Sequence, residues 1–140
     1  LFSTFISFIP TNKIKFKIKK NIDKRGNFSE FSRIGKFGQI SYFSIKPKVS
    51  RGHHYHNSKI EKFLLIKGSA TYVTKNLLNN KKKVIKLKAD NPEIIYSIPG
   101  HVHYFKNNSS KDAIVIVWAN ENFSKQIIEF DFFNNCISLF

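Results

Sequence analysis

Two short stretches of the chain, about forty residues apart, carry residue types that bind metal ions. The first supplies His54, His56 and Glu61, and the second supplies His103. Side chains alternate across a β-strand, so His54 and His56 point to one face, and Glu61 can return to that face from the next turn. His103 follows a Pro99 and Gly100 turn and can close the site from another strand. The spacing therefore predicts a mononuclear metal site built on β-strands.

This donor set restricts both the metal and its chemistry. Imidazole nitrogens and one carboxylate suit Zn, Mn, Fe, Ni or Cu. Where the protein supplies fewer ligands than the ion prefers, a coordination position stays open for a substrate. We therefore expect a divalent metal that can act on a bound molecule.

The elements that must hold these residues are predicted to be strands. Residues 38–46 alternate between two sets of side chains, and further strand-like runs are residues 60–66, 70–75, 84–88, 93–98, 102–107 and 113–118. Lysines alternate with apolar residues over residues 13–19, which predicts another strand with one solvated face. Many short strands separated by Gly, Pro and Asn turns favour a sandwich or jelly-roll barrel. Some strands, such as residues 60–66, are apolar on both faces, which favours a homodimer.

Length and composition fit one compact domain. The 140 residues are 41% hydrophobic and 15% aromatic, which is enough to fill a sizeable core. Methionine is absent and the chain opens with Leu1, so we expect a piece of a longer polypeptide. The single Cys136 excludes an intramolecular disulfide and favours a reducing, cytoplasmic setting. No apolar segment reaches the length of a membrane span, and residues 1–10 lack the basic leader of a targeting signal.

The net charge of +15 raises nucleic acid as a partner. The excess consists of lysine, with 21 Lys against 3 Arg, and it accompanies abundant Ile, Asn and Phe, a mixture that AT-rich coding produces. Arginine forks, which read phosphates and base edges, are nearly missing. We therefore expect neither nucleic acid nor a membrane as partner, although the same charge would attract a nucleotide diphosphate.

The two stretches together resemble the paired motifs of the cupin superfamily. The first cupin motif reads HxH, three or four residues, E, six residues, G, and the second reads PGxxH, three residues, N. The matching positions here are His54, His56, Glu61, Gly68, Pro99, Gly100, His103 and Asn107. The resemblance implies an all-β double-stranded β-helix, or jelly-roll barrel, of the RmlC-like type.

A more specific resemblance is to the C-terminal cupin domain of CapF/WbjC-type capsular polysaccharide enzymes. It covers residues 1 to about 123 and rests on the stretches LFSTFISFIP, DKRGNF, GQISYFSIKP, RGHHYH, EKF and WANE. The departures are His53, where relatives usually carry Asn, and His101, where they often carry an aromatic residue. The last seventeen residues fit poorly.

This family resemblance implies a bifunctional enzyme. Its N-terminal NADPH-dependent reductase domain would lie outside this chain, and the zinc-bearing cupin would epimerise C3 of UDP-2-acetamido-2,6-dideoxy-4-hexulose on the route to UDP-N-acetyl-L-fucosamine for capsule. Residues 1–20 would be a connecting segment and first strand, residues 21–125 the cupin barrel and residues 126–140 a C-terminal tail. The chain has no Gly-rich dinucleotide fingerprint, so we expect no NADPH site in it.

Such an epimerase needs a proton carrier besides the metal ligands, because a metal-bound imidazole carries protons poorly. Candidates are His101, Tyr104, Tyr42 and Glu121, with strand parity favouring Tyr42 or His101. Arg51, Gln39 and Asn107 are candidate substrate-binding residues, although Arg51 could instead pair with a carboxylate such as Glu30.

Two other function classes fit the same residues. Three histidines and a glutamate also serve iron-dependent cupin dioxygenases. The other alternative is a non-catalytic module that binds a sugar nucleotide or mediates dimerisation.

Overall fold

The computed structural model describes residues 2–33, 35, 38–122, 128–130 and 137–139. A short helix α1 (Phe2–Ser7) and a 3-10 turn (Thr11–Lys13) precede the strands. The strands are β1 (Asn21–Asp23), β2 (Gly26–Arg33), β3 (Gln39–Ile45), β4 (Ser50–Tyr55), β5 (Glu61–Lys67), β6 (Ser69–Asn76), β7 (Lys82–Lys88), β8 (Ile94–Ser97), β9 (His101–Lys106), β10 (Ala113–Ala119), β11 (Ile128–Phe130) and β12 (Ile137–Leu139). No helix among these residues is long and apolar enough to cross a membrane.

The strands form two antiparallel six-stranded sheets. The first sheet has the order β1-β2-β3-β10-β5-β8, and the second has the order β12-β11-β4-β9-β6-β7. Strands distant in sequence are neighbours in both sheets, as when β10 lies between β3 and β5. The predicted all-β class is confirmed.

The strand-like runs between turn signals predicted the central strands well. All seven strand-like runs named from residue 38 onward form strands, with ends shifted by one or two residues. Nothing in the sequence clearly indicated the strands β1 and β2. In β2, polar residues occur on both faces, so the strand shows no apolar side.

The strand predicted over residues 13–19 is wrong. This stretch holds the end of the 3-10 turn and then no regular structure, and Ile14 and Phe16 are more than 70% exposed. Alternation measures only the fit to a pleated surface, whereas a strand also needs a neighbour for its hydrogen bonds. Among the described residues no strand lies beside this stretch, and the expected first strand within residues 1–20 is not found in residues 2–20.

The predicted C-terminal tail also contributes to the fold. Its described residues form β11 and β12, and β11 pairs with β4 opposite Tyr55 and His54. The stretch therefore extends the second sheet at the strand that carries two of the candidate metal ligands.

The interior between the sheets changes character from one end to the other. Inward-facing residues at one end are apolar and form the core: Phe43, Ile45, Phe63, Leu65, Ala70, Tyr72, Leu87, Phe105, Ala113, Val115 and Val117. At the other end the same strands turn polar residues inward, namely Gln39 on β3, Glu61 on β5 and His103 on β9. The register pairs Ala119 of β10 with both Gln39 and Glu61, so these polar positions share one end.

A β-bulge in β4 changes which residues face inward. Gly52 pairs with Tyr104 and His54 pairs with His103, so His53 is an extra residue in the ladder. His53 has a positive φ of 50°, and its ring stacks on Tyr104 with centroids 4.3 Å apart. Gly52, at φ 114°, has no room for a side chain, since a Cβ would lie 2.8 Å from the Tyr104 Cα. Because of the extra residue, Arg51 and His54 both face inward although they are three positions apart.

Asn107 fixes the turn between β9 and β10. Its side-chain amide donates to the carbonyls of Ile45 and Lys111, each at 2.8 Å, and its oxygen accepts from the backbone N–H and the hydroxyl of Ser109. It is fully buried and does not line the cavity described below. The expected substrate-binding role of Asn107 is therefore replaced by a structural one, because the turn uses every hydrogen bond that its side chain can make.

We expect Asn107→Ala to lower the free energy of unfolding by at least about 2 kcal/mol, since it leaves buried carbonyls without donors. Urea denaturation measures the change. Asn108→Ala, at an exposed neighbouring position, is the control and should cost less than about 0.5 kcal/mol. Equal effects of the two substitutions would contradict the role of Asn107 in the turn.

Candidate metal centre

Four potential ligands converge at the polar end of the interior. His54, His56, Glu61 and His103 each present one ligand atom, and these four atoms all lie within 4.8 Å of one another. The carboxylate is the meeting point: Glu61 Oε2 lies 3.2 Å from His56 Nε2 and 3.4 Å from His103 Nε2. The structure thus brings together all four residues that the spacing had predicted as ligands.

Three strands and one loop position this cluster. His54 lies near the end of β4 and His56 just beyond it, Glu61 begins β5, and His103 lies in β9. The predicted turn before β9 also contacts the first motif, since Gly100 N–H donates to the His56 carbonyl at 3.0 Å.

Hydrogen bonds outside the cluster orient two of the rings. His54 Nδ1 lies 2.9 Å from the Gly52 carbonyl, which can only accept, so Nδ1 carries the proton and Nε2 keeps its lone pair. His103 Nδ1 lies 3.2 Å from the hydroxyl of Ser97, which is 1% exposed. Such outer partners fix the ring orientation of histidine ligands. Ser97 had no signal in the sequence, because its role depends on β8 lying beside the site.

The electrostatics favour the protonation states that bind metal. Burial, followed by the proximity of His103, lowers the pKa of His54 to about 3, so its imidazole is neutral at physiological pH. Burial alone would raise the pKa of Glu61, but the hydrogen bonds with His103 and His56 outweigh it and hold that pKa well below its usual range. Lys59 Nζ, 3.6 Å from Glu61 Oε1, adds a positive charge beside the carboxylate.

The donors fit a divalent transition metal. Two adjacent ligands on one ion at ~2.1 Å each lie ~3.0–3.4 Å apart, which the two distances around Glu61 match. The widest separations, up to 4.8 Å, would have to shorten for all four atoms to bind one ion. Imidazole nitrogens with a carboxylate are typical donors of catalytic zinc sites, whereas structural zinc sites are rich in cysteine. The four side chains could therefore hold one ion, and an ion that takes five or six ligands would keep one or two coordination positions for a substrate.

The cluster lies in a cavity of about 910 Å³ between the sheets. Phe43, Phe63 and Phe105 separate it from the core. The lining combines apolar side chains, such as Val117 and Ala119, with polar or charged ones, namely Gln39, Ser41, Arg51, Lys59, Asp23, Arg25, Glu30, Arg33 and Lys19. A cavity of this size accommodates a drug-sized ligand.

The candidate proton carriers do not line this cavity. Tyr42 lies on the opposite face of β3 from Gln39, Ser41 and Phe43, which do line it. Glu121 follows the end of β10 and is also outside the lining. The sequence could not show which face of β3 lines the cavity. The structure shows that it is the face opposite Tyr42, which argues against Tyr42 as the proton carrier.

The two candidates on β9 are occupied elsewhere. His101 Nδ1 lies 3.2 Å from the Pro99 carbonyl and its Nε2 lies 3.1 Å from the Asn76 amide, so both ring nitrogens have partners. Tyr104 faces outward and stacks on His53. Neither residue lines the cavity.

Two of the three candidate substrate-binding residues line the cavity, unlike the candidate proton carriers. Arg51 and Gln39 line the cavity, and Gln39 is only 3% exposed. Arg51 does not pair with Glu30, whose carboxylate binds Arg33. Burial, followed by the charge of Arg25, lowers the pKa of Arg51 to about 10.

The fold and the site define a cupin with a candidate metal centre. Comparison with solved structures supports this class: the fold matches CapF from Staphylococcus aureus with a TM-score of 0.80 and 29% identity over 88% of this chain and 34% of that one. CapF with the inhibitor 3-isopropenyl-tropolone matches equally well, at 0.80 and 29% over 88% of this chain and 36% of that one. Oxalate decarboxylase, at 17% identity over 81% of this chain and 30% of that one, shares the fold alone, with a TM-score of 0.68.

The chain belongs to the polysaccharide biosynthesis C-terminal domain family, whose model matches residues 21–129. It is 38% identical over 126 residues to UDP-2-acetamido-2,6-beta-L-arabino-hexul-4-ose reductase of Pseudomonas aeruginosa. The aligned region covers 90% of this chain but 34% of the relative. The chain thus spans about a third of the length of the relatives it matches. These comparisons confirm the family resemblance found in the sequence and the cupin fold.

We expect purified protein to retain about one divalent metal ion per chain, and His54→Ala or His103→Ala to lose it on dialysis, since each variant removes a donor that no neighbouring side chain replaces. Elemental analysis measures the retention. His101→Ala, which alters a histidine in the same strand, should keep the ion. Full occupancy in the first two variants would refute the ligand assignment.

Proposed function

We propose that this domain is a metal-dependent sugar-nucleotide epimerase, acting on C3 of a UDP-2-acetamido-2,6-dideoxy-4-hexulose in the synthesis of a surface polysaccharide precursor. The observation that carries this proposal is the convergence of three imidazoles and a carboxylate inside a substrate-sized cavity. Membership of a polysaccharide biosynthesis family and the keto-sugar named for the Pseudomonas aeruginosa relative support the substrate class.

The donor set supports the chemistry. His54, His56, Glu61 and His103 would hold a zinc ion or another divalent metal, which would supply a Lewis acid for a C4 ketone and so make the hydrogen on C3 more acidic. The chain's own contribution is positioning. Gly52 and Ser97 orient the His54 and His103 rings, and the three phenylalanines of the cavity wall exclude water from one side of the site.

The inhibitor named with CapF is consistent with this chemistry. A tropolone carries a keto and a hydroxyl oxygen on adjacent carbons and so can chelate a metal ion through both. A 4-keto sugar with a hydroxyl on C3 presents the same pair of oxygens. We infer that the keto-sugar approaches the candidate metal centre through these two atoms.

A reductase partner completes the proposal. The chain spans about a third of its relatives, and one of these is named as a reductase. We propose that the reductase activity, with its NADPH, belongs to a domain that precedes this one, and that the epimerised keto-sugar passes to it.

Incubation of the chain with the UDP-keto sugar in deuterated water should place deuterium at C3, because epimerisation requires that the C3 proton leave and be replaced from solvent. Mass spectrometry with NMR locates the label. His54→Ala should stop the exchange and His101→Ala should not. Binding of the sugar without exchange would sink the epimerase proposal in favour of a non-catalytic module, and oxygen consumption would favour a dioxygenase.

We also propose that the domain forms a homodimer through the outer face of its first sheet. That face carries an unusual number of apolar residues: Ile40, Tyr42, Leu64, Ile66, Ile94, Tyr96, Ile114, Ile116 and Trp118. The outer face of the second sheet instead carries lysines on β6, β7 and β9, among them Lys75, Lys86 and Lys106. Two copies would repel through the lysine face and could bury the apolar one.

Ile94→Asp should shift the protein towards monomer, because it places a charge on the face proposed to be buried between two copies. Sedimentation equilibrium measures the dissociation constant, which we expect to rise at least ~10-fold. The matched control is Val84→Asp on the second sheet, since Ile94 and Val84 are 53% and 55% exposed. A monomeric wild-type protein, or an unchanged dimer in the Ile94 variant, would overturn this proposal.

A further inference from the structure

The arginines of this chain are concentrated at the cavity. Only three of its 24 basic residues are arginine, and all three, Arg25, Arg33 and Arg51, line the cavity that holds the candidate metal centre. Lysines dominate the basic residues elsewhere in the chain. Arginine is the residue whose planar fork matches phosphate oxygens, so its location points to an anionic ligand at this cavity.

Two of these arginines are already paired. Arg25 binds Asp23, with its Nη2 2.6 Å from the carboxylate, and Arg33 binds Glu30 at 2.9 Å. Both pairs are partly exposed to solvent. Their charges largely cancel, and a ligand would have to displace an existing partner to use either guanidinium.

Arg51 is different because it makes no salt bridge with a carboxylate among the described residues, and Asp23, which is bound to Arg25, acts on it only through the longer-range field. Its Nη1 donates to the carbonyls of Asn27 and Ser44, each at 2.9 Å, and its guanidinium lies over the Phe43 ring, 4.9 Å from the centroid. These contacts fix the position of the group without neutralising its charge. Nε and Nη2 have no hydrogen bond to the described part of the chain, so three N–H donors remain for a ligand.

The bulge at His53 places Arg51 beside the metal centre. Arg51 pairs with Phe105 and His54 pairs with His103, and these two β9 residues are only two positions apart. Arg51 and His54 are therefore separated along the sheet by about 7 Å, at ~3.3 Å per strand residue. In a UDP-sugar, one pyranose ring separates the C4 keto group from the diphosphate on C1, which is a comparable span.

We propose that Arg51 binds the diphosphate of the nucleotide sugar and thereby sets which sugar carbon reaches the metal centre. With the diphosphate anchored one ring length from His54, C4 and C3 lie at the ligand cluster and C1 faces away from it. This assignment rests on the proposed function for the identity of the sugar. It makes Arg51 a specificity-determining residue for nucleotide-linked sugars over free sugars.

Calorimetric titration of the chain with UDP and with uridine tests the assignment. Arg51→Gln should weaken UDP binding about 10- to 100-fold, the loss expected for charge-assisted hydrogen bonds, and leave uridine binding unchanged. Arg51→Lys should give an intermediate loss, since it keeps the charge but not the fork. Arg33→Gln removes the same charge from the same cavity and should change UDP affinity less than about 3-fold, because Arg33 is already paired.

Metal content and urea denaturation of each variant show whether the metal site and the fold persist. If Arg51→Gln does not fold, the UDP affinity of Arg51→Lys tests the assignment of Arg51. Absence of UDP binding by the wild-type chain at millimolar concentration would overturn the inference, as would equal losses in the Arg51 and Arg33 variants. The deuterium experiment is independent of this one. If UDP binding depends on Arg51 but C3 does not exchange, the epimerase proposal is refuted and the anion site stands. If C3 exchanges but UDP affinity does not depend on Arg51, the epimerase proposal stands and the anion site is refuted.

Discussion

The site depends on one buried carboxylate. Glu61 is 8% exposed, and a carboxylate removed from water is costly unless charges and hydrogen bonds replace its hydration. His56, His103 and Lys59 supply them; His56 and Lys59 come from the loop that precedes β5, and His103 comes from the distant strand β9. The same contacts that make Glu61 tolerable hold the imidazoles within reach of one ion. The requirements of stability and of metal binding therefore coincide at this residue.

In the barrel interior, the apolar core and the cavity with the candidate metal centre lie at opposite ends of the strands. β3 and β5 place apolar residues inward at one end and polar residues inward at the other, and Phe43, Phe63 and, on β9, Phe105 lie between the two zones. The apolar zone supplies the burial that stabilises two sheets of short strands. This leaves the other end free to carry a cavity lined by charged groups, which would be unfavourable in the middle of the core.

Much of this organisation could be read from the sequence. Seven strands followed from short strand-like runs between turn signals, of which residues 38–46 alternate clearly, and the four members of the metal cluster followed from motif spacing. The family resemblance supplied the cupin fold. Alternation failed at residues 13–19, where the pattern is present but no strand lies alongside to pair with.

The sequence by itself determined which residues could bind a metal and which strands could carry them. Only the tertiary structure decided which side chains share the cavity. The bulge at His53 places Arg51 on the same side of the sheet as His54, whereas alternation along β3 places Tyr42 on the outer face. The side chains of His101 and Asn107 make hydrogen bonds outside the cavity. The reason is that such relations depend on strand register and on contacts between residues far apart in the chain, whereas sequence patterns report the local period of one strand at a time.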